Sequence, residues 1–450
     1  MKNLGLPKEF EDSLKGKLTS SYDEFLRSLQ QPSPVSIRVN PNKSFLIEGE
    51  PVAWTKFGKY LSERPVFTLD PSFHAGTYYV QEASSMFLEQ AVVQSVDLSK
   101  PIHVLDLCAA PGGKSTHLLS LLHPESLLVS NEVIRSRANI LSENIQKWGH
   151  SNVVVTNNDP EDFSSMHGFF DVIVVDAPCS GEGLFRKDPN AVQEWSPSNV
   201  DLCSKRQKRI LADVWPCLKS NGILIYSTCT YNEQENEENI QWLQKQQHIQ
   251  SVPLDIDPTW GVEVIEREKI FGYRFYPHKI KGEGFFLSVI RKLDEHSAAR
   301  FKSKKSLDVP PRKIIDQLKE WVSKHNIQFQ SHIDLVFSIP SSLQQSVEYL
   351  AQHLKIVHAG TSIATLKHDK LIPEHALALS INLKRGQFPE LEVSLEEALN
   401  YLRKEPIQTG SAKKGYCLIT YKQLALGWIN VLDNRSNNLY PKEWRIRMAG

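Results

Sequence analysis

Val104-Leu105-Asp106-Leu107-Cys108-Ala109-Ala110-Pro111-Gly112-Gly113-Lys114-Ser115 is the stretch whose reading decides the fold. A short apolar run ends in a carboxylate, small residues and a glycine turn follow, and the segment from Lys114 to Leu122 reads as a helix. The pattern then repeats. Leu127-Leu128-Val129 precedes Asn131-Glu132 and a helix carrying Arg135, Arg137 and Asn144. The apolar run 153–155 ends near Asp159, the run 172–175 ends at Asp176, and the run 222–226 ends near Cys229. Strands of this kind alternating with helices predict an α/β fold, a parallel sheet covered on both faces. In an open sheet of that type ligands bind beyond the carboxyl ends of the strands, and here polar and reactive residues gather at those ends.

Small residues between a strand and a helix let the backbone approach a ligand closely, while the helix N-terminus offers free N–H donors. A phosphate-binding Walker loop is excluded because Cys108 stands where it needs glycine, and the dinucleotide fingerprint Gly-x-Gly-x-x-Gly is absent. What remains is a loop for a ligand bearing a carboxylate rather than a pyrophosphate, weighed against a purely structural turn. Glu132, closing the next strand, can accept hydrogen bonds from both ribose hydroxyls of an adenosine, in a dinucleotide or in S-adenosylmethionine. The plainer alternative is a solvated acid at a helix start. With Asp159 and Asp176, Glu132 makes three carboxylates along one sheet edge.

The segments Asp176-Ala177-Pro178-Cys179-Ser180-Gly181-Glu182-Gly183 and Tyr226-Ser227-Thr228-Cys229-Thr230-Tyr231 each set a cysteine just past a strand, in a polar loop. A single free cysteine is usually a small buried hydrophobe; two at neighbouring strand ends point to reactive thiols. Cys203, Cys217 and Cys417 keep the packing role. The six cysteines contain no Cys-x-x-Cys pair, so neither a disulfide framework nor a structural zinc is expected.

The 450 residues suggest two to four domains. Lys plus Arg and Asp plus Glu each total 52, so any nucleic-acid partner must be held by local patches. No apolar run suits a signal peptide or a membrane span, and a cytoplasmic location and a monomer are expected. Residues 1–70 read as a small N-terminal subdomain, 71–295 as the core and 311–450 as an extension, with a basic linker at 300–306.

The loop 108–114, Asp176-Ala177-Pro178-Cys179-Ser180-Gly181 and Ser227-Thr228-Cys229-Thr230-Tyr231 resemble those of the Sun-type RNA cytosine-5 methyltransferases. Ser36-Ile37-Arg38-Val39-Asn40, the segment 76–86 and Gly183-Leu184-Phe185-Arg186-Lys187-Asp188-Pro189 extend the likeness over about residues 30–292. The resemblance implies a class I, Rossmann-like, S-adenosylmethionine-dependent core. It implies Cys229 as nucleophile and Cys179 as the thiol that assists adduct breakdown. Cofactor binding is implied for Cys108, Ala109, Ala110, Pro111, Gly112, Gly113, Lys114, Glu132, Asp159 and Asp176, with Asp176 facing the cofactor amine, the cytosine edge or both, and no metal.

Two thiols suit this chemistry. Carbon 5 of cytosine is a poor nucleophile until a thiolate adds to carbon 6, a covalent division of one difficult step. The base must leave its stack or be unpaired to enter such a pocket. Arg186, Lys187, Lys205, Arg206 and Arg209 are candidates for phosphate contacts.

Tyr416-Cys417-Leu418-Ile419-Thr420-Tyr421, Leu426-Gly427-Trp428 and Tyr440-Pro441-Lys442-Glu443-Trp444-Arg445 resemble the carboxyl-terminal RNA-binding extension of bacterial RsmF-type enzymes, which methylate 16S ribosomal RNA. This implies a PUA-like part near 380–450. Residues 411–450 carry seven Lys or Arg against two acidic residues, interleaved with aromatics that suit RNA, although Trp428 is expected in the core. The expected partner is ribosomal RNA or the small ribosomal subunit. Transfer RNA or another RNA, a non-catalytic RNA-binding protein, a protein methyltransferase and a DNA enzyme are the alternatives. Glu233, Glu235, Glu237 and Glu238, at a helix start, are expected to form acidic surface that balances the basic patches.

Overall fold

The computed structural model describes residues 5–294, 306–323, 326–368, 370–410, 413–433 and 435–448. The expected linker therefore lies outside the described residues, apart from Ser306.

The first core strand, β1 (His103–Asp106), runs through the glycine turn into α1 (Gly113–Leu121). Then follow β2 (Leu127–Asn131), α2 (Arg135–Trp148), β3 (Val153–Thr156), β4 (Phe170–Asp176), α3 (Pro197–Val214) and β5 (Leu218–Thr228). These strands lie in the order β5-β4-β1-β2-β3, all parallel. They read as unbroken apolar runs because both faces are covered: every residue of β2 and of β3 is buried. The connections run outward in opposite directions from β1 and β4, so the switch point falls between those two strands, where a doubly wound sheet opens a crevice. Asp106 and Asp176 end them. Ser196 caps α3 by accepting the Asn199 N–H at 3.1 Å, and Pro197 occupies its first position.

Beyond α4 (Glu237–Gln246), β6 (Glu263–Arg267), β7 (Ile270–Phe275) and β8 (Phe285–Lys292) extend the sheet antiparallel on the β5 side. On the opposite edge the sheet gains a strand from the C-terminal extension: β9 (Ile356–Ala359) pairs antiparallel with β3. Leu343, Val347 and Leu350 of the extension bury their side chains in the same core as Val154 and Phe170. The rest of the extension carries two further four-stranded sheets. Trp428, in the second of these, and Tyr440, just after its last strand, are each 1% exposed. Trp428 is in the core as its sequence context suggests, whereas Tyr440 is a packing residue and not an exposed stacking platform. No helix among the described residues is long and apolar enough to cross a membrane.

N-terminal to the core, helices Lys8–Leu18 and Tyr22–Leu29 turn Phe10, Leu14, Leu18 and Phe25 onto Phe185, Trp195, Tyr231 and Tyr276. The spacing of four between Phe10, Leu14 and Leu18 keeps them on one face. A small sheet containing Val35–Val39 lies against α1, joined to it through Arg38. This guanidinium is 0% exposed. It donates to Gln81 Oε1 at 2.8 Å, Thr116 Oγ1 at 2.6 Å and the Gly113 carbonyl at 3.2 Å, with its face 4.5 Å from the Trp148 ring. Burial lowers its pKa to about 9, which leaves it charged at neutral pH. Replacing Arg38 by Met removes the donors while leaving the acceptors buried. We expect Arg38→Met to lose about 2–4 kcal/mol of stability in urea denaturation. An unchanged midpoint would mean that the desolvation of the cation had offset its hydrogen bonds.

Candidate active site

A cavity of about 490 Å³ opens at the switch point. Its walls include Cys108 and Ala110 of the glycine turn, Glu132 and Asp159 just past β2 and β3, Asp176 at the end of β4, and both Cys179 and Cys229. The turn is shaped by Gly112, at φ 115°, where a Cβ would also lie 3.3 Å from Leu141 Cδ1. Its carbonyls are held from α2: Arg137 donates to Ala110 O at 2.9 Å and Asn144 to Pro111 O at 2.8 Å. Pro111, Gly112 and Gly113 thus form the turn without lining the cavity, and Ala109 is packed at 5% exposure. Lys114 reaches the site by pairing with Asp176 at 2.7 Å, while Ser227 donates to the other Asp176 oxygen at 2.8 Å.

Asp106 is fully buried. Ser115 donates to its Oδ2 at 2.6 Å, but its Oδ1 has no hydrogen-bond partner. Burial pushes this carboxyl up to about 7. Glu132 is buried rather than solvated; its Oε1 accepts from Ile134 N–H at 2.9 Å and Oε2 lies 3.5 Å from Arg137. Asp159 both lines the cavity and caps the turn Pro160–Phe163, and it pairs with Arg209 at 3.3 Å. Burial pushes the Cys108 thiol well above its ordinary value, so Cys108 shapes the wall as a neutral group.

The two loop cysteines face each other with Sγ atoms 3.0 Å apart, and the Cys229 N–H points at Cys179 Sγ at 3.3 Å. The hydrogen bond to Cys229, then burial, hold the Cys179 thiol well above its ordinary value. Cys179 therefore keeps its proton, and the two sulfurs are in S–H···S contact. Cys203, Cys217 and Cys417 are buried, and all six cysteines are free.

Several residues outside the expected set tie the cysteine loops together. Glu182 accepts from Tyr231 N–H at 3.1 Å and from Trp195 at 3.0 Å. Gly183 N–H donates to the Cys229 carbonyl at 2.8 Å. Glu235, 0% exposed, accepts from Ser180 N–H and Gln207, each at 2.9 Å. This corrects the expectation of acidic surface, since Glu237 is also buried, in an ion pair with Arg274; only Glu233 and Glu238 reach solvent. Arg186 is corrected too. Its side chain is 5% exposed and locked onto Glu283 at 3.0 Å, which removes it from the candidates for phosphate contact. Lys187 and Lys205 are exposed, Lys205 in a pair with Asp201, and Arg206 and Arg209 stand at the cavity wall.

A crevice between β1 and β4, rimmed by a glycine turn and by carboxylates closing successive strands, is the arrangement of a class I methyltransferase. The family model for 16S rRNA methyltransferase RsmB/F matches residues 93–291, that for the N-terminal domain of 16S rRNA methyltransferase RsmF residues 6–83, and that for the methyltransferase RsmF PUA domain residues 388–446. The chain belongs to the family of ribosomal RNA small subunit methyltransferase F. The member from Salmonella agona is 30% identical over 458 residues, which span 94% of this chain and 93% of the relative. The one from Pectobacterium atrosepticum is 36% identical over 307 residues, 64% of this chain and 63% of its own length. Among solved structures, a methyltransferase homologue from Pyrococcus horikoshii superposes with a TM-score of 0.56 at 28% identity, covering 64% of this chain and 96% of that one.

Proposed function

We propose that the protein is an S-adenosylmethionine-dependent RNA cytosine-5 methyltransferase acting on 16S ribosomal RNA, with Cys229 as the nucleophile. The observation that carries this reading is the single cavity whose wall holds the glycine turn, Glu132, Asp176 and both cysteines. It joins a nucleoside-sized cofactor site to a pair of thiols, and family membership supports the RNA substrate.

The residues present fit the cofactor. The turn at Gly112 brings Cys108 and Ala110 to the cavity wall, Glu132 suits ribose hydroxyls, and Asp176 and the unpaired, buried Asp106 Oδ1 suit an amine. When bound, S-adenosylmethionine supplies an electrophilic methyl group on a sulfonium. Ala109, Pro111, Gly113 and Lys114 shape or brace this part of the site, and Cys108, Ala110 and Asp159 wall it.

Cys229 adds as thiolate to carbon 6 of a cytosine turned out of its stack, which places carbanion character on carbon 5. After methylation, the carbon 5 proton leaves to solvent, the carbon 5–carbon 6 double bond re-forms and the Cys229 Sγ–carbon 6 bond breaks. Cys179, whose Sγ lies 3.0 Å from that sulfur, donates its proton to the departing thiolate and is reprotonated from solvent. Arg206 and Arg209 at the mouth, and the N-terminal (1–70) and C-terminal (311–450, PUA-like near 380–450) regions, hold the RNA around the catalytic part (71–295). The enzyme works in the cytoplasm, as a monomer.

The test is transfer of labelled methyl from the cofactor to 16S rRNA, naked or within small subunits, from cells lacking the enzyme. Label is expected in one 5-methylcytosine. Label in transfer RNA would move the substrate, label in polypeptide would replace the reading, and RNA binding without label would leave a non-catalytic binder.

A further inference from the structure

Cys179 sits on the loop after β4 and cannot hold its own place. Pro178 is exposed, and glycine follows at 181 with a positive φ of 76°. What fixes the loop comes from elsewhere, from the segment after Cys229. Glu235 is fully buried, and both of its carboxylate oxygens point at residue 180: Oε2 accepts Ser180 N–H at 2.9 Å and Oε1 accepts Ser180 Oγ–H at 2.5 Å. Gln207 of α3 adds a third donor to Oε2 at 2.9 Å and with the same amide group holds the Pro178 carbonyl at 2.9 Å. The residues before and after Cys179 are thereby gripped by one acid and its amide partner. Glu235 is itself pinned, its carbonyl accepting from Tyr226 and from Asn239. Three donors converging on a buried carboxylate match the lone pairs of a charged acid and not those of an amide.

We infer that Glu235 is a positioning residue that holds Cys179 opposite Cys229 through Ser180, so that it serves release of the covalent RNA adduct and not its formation. The inference rests on the reading of Cys229 as nucleophile. Glu235 makes no hydrogen bond to Cys229, which follows directly on β5 and whose carbonyl accepts the Gly183 N–H; the Ser180 hydroxyl also meets Thr230 Oγ1 at 3.1 Å. Addition to carbon 6 needs only Cys229. Release needs the Cys179 proton delivered within hydrogen-bond reach of the leaving sulfur, and such geometry tolerates little displacement. Burial also places the Glu235 carboxyl at about 7, so the grip is strongest where it is ionised.

The experiment is single-turnover kinetics of full-length Glu235→Gln on 16S rRNA, with adduct followed on denaturing gels and product by label. Adduct is expected to form within threefold of the wild-type rate, while its release slows tenfold or more and the covalent band accumulates. Glu235→Asp, which keeps the charge, should recover part of the release rate. Ser180→Ala, a milder change of the same contact, should slow release in the same direction. The double variant Glu235→Gln/Cys179→Ala should release no more slowly than Cys179→Ala alone. Equal losses in formation and release, or additive losses in the double variant, would overturn the inference, as would a Glu235→Gln enzyme with normal release. Lack of any adduct or product with the wild-type protein would instead remove the parent reading.

Discussion

Cys229→Ala is expected to abolish both the covalent RNA adduct and methyl transfer, with a loss on the order of 10⁴-fold or more, as follows when a nucleophile is removed. Cys179→Ala should behave in the opposite sense: the adduct forms and then persists as a protein–RNA band on a denaturing gel. The difference follows from the 3.0 Å contact between the sulfurs. The hydrogen bond to Cys229 and burial hold Cys179 well above its ordinary value, so Cys179 keeps its proton. Cys229 is then the sulfur presented to an electrophile, and Cys179 the acid that returns a proton when that sulfur departs. Removing the nucleophile leaves nothing to add to carbon 6. Removing the acid leaves a bond that forms but breaks without assistance. If Cys229→Ala traps RNA and Cys179→Ala does not, the two roles are exchanged.

The core was legible because each of its strands contains an apolar run buried on both faces and ends in a polar residue. β1, β2, β3, β4 and β5 could all be read directly, and with them the edge carrying Glu132, Asp159, Asp176 and the two cysteines. What escaped depends on partners distant in the chain. A run of acids at a helix start looks like a solvated N-terminus, yet Glu235 is buried because Ser180, 55 positions earlier, donates to it. Arg186 looks like a phosphate contact until Glu283, 97 positions later, pairs with it. β9 is four residues long with mixed burial, and its partner β3 lies some two hundred residues upstream; no local period could announce it. Tyr440 and Trp428 carry the same aromatic signal as RNA-stacking residues, and only their packing into the C-terminal core separates the two roles.

The second large effect is expected at Gly183. A Cβ built there would lie 2.4 Å from the Gly284 carbonyl oxygen and 2.8 Å from that of Cys229, so both walls are backbone. Neither wall can retreat easily. Glu283, next to Gly284, is clamped by the ion pair with Arg186, by its N–H to Glu82 at 2.8 Å and by Ser84 on its carbonyl at 2.8 Å. Cys229 follows directly on β5, which is held between β4 and β8. Gly183→Ala must therefore separate the two cysteine loops. Overpacking of this kind costs about 1–3 kcal/mol, and a displacement of Cys229 by about 1 Å costs on the order of 10²-fold in rate. The expected outcome is a lower Tm and a kcat reduced about a hundredfold, with the affinity for S-adenosylmethionine little changed, because the glycine turn at 112 is held from α2 and not from Gly183. Gly16→Ala, on an N-terminal helix with open space around it, serves as control and should raise stability by up to about 1 kcal/mol at unchanged kcat. A Gly183→Ala enzyme with wild-type kcat would show that the 283–284 segment yields, and that the cysteine geometry is set by the hydrogen bonds of Glu182 and Glu235 alone.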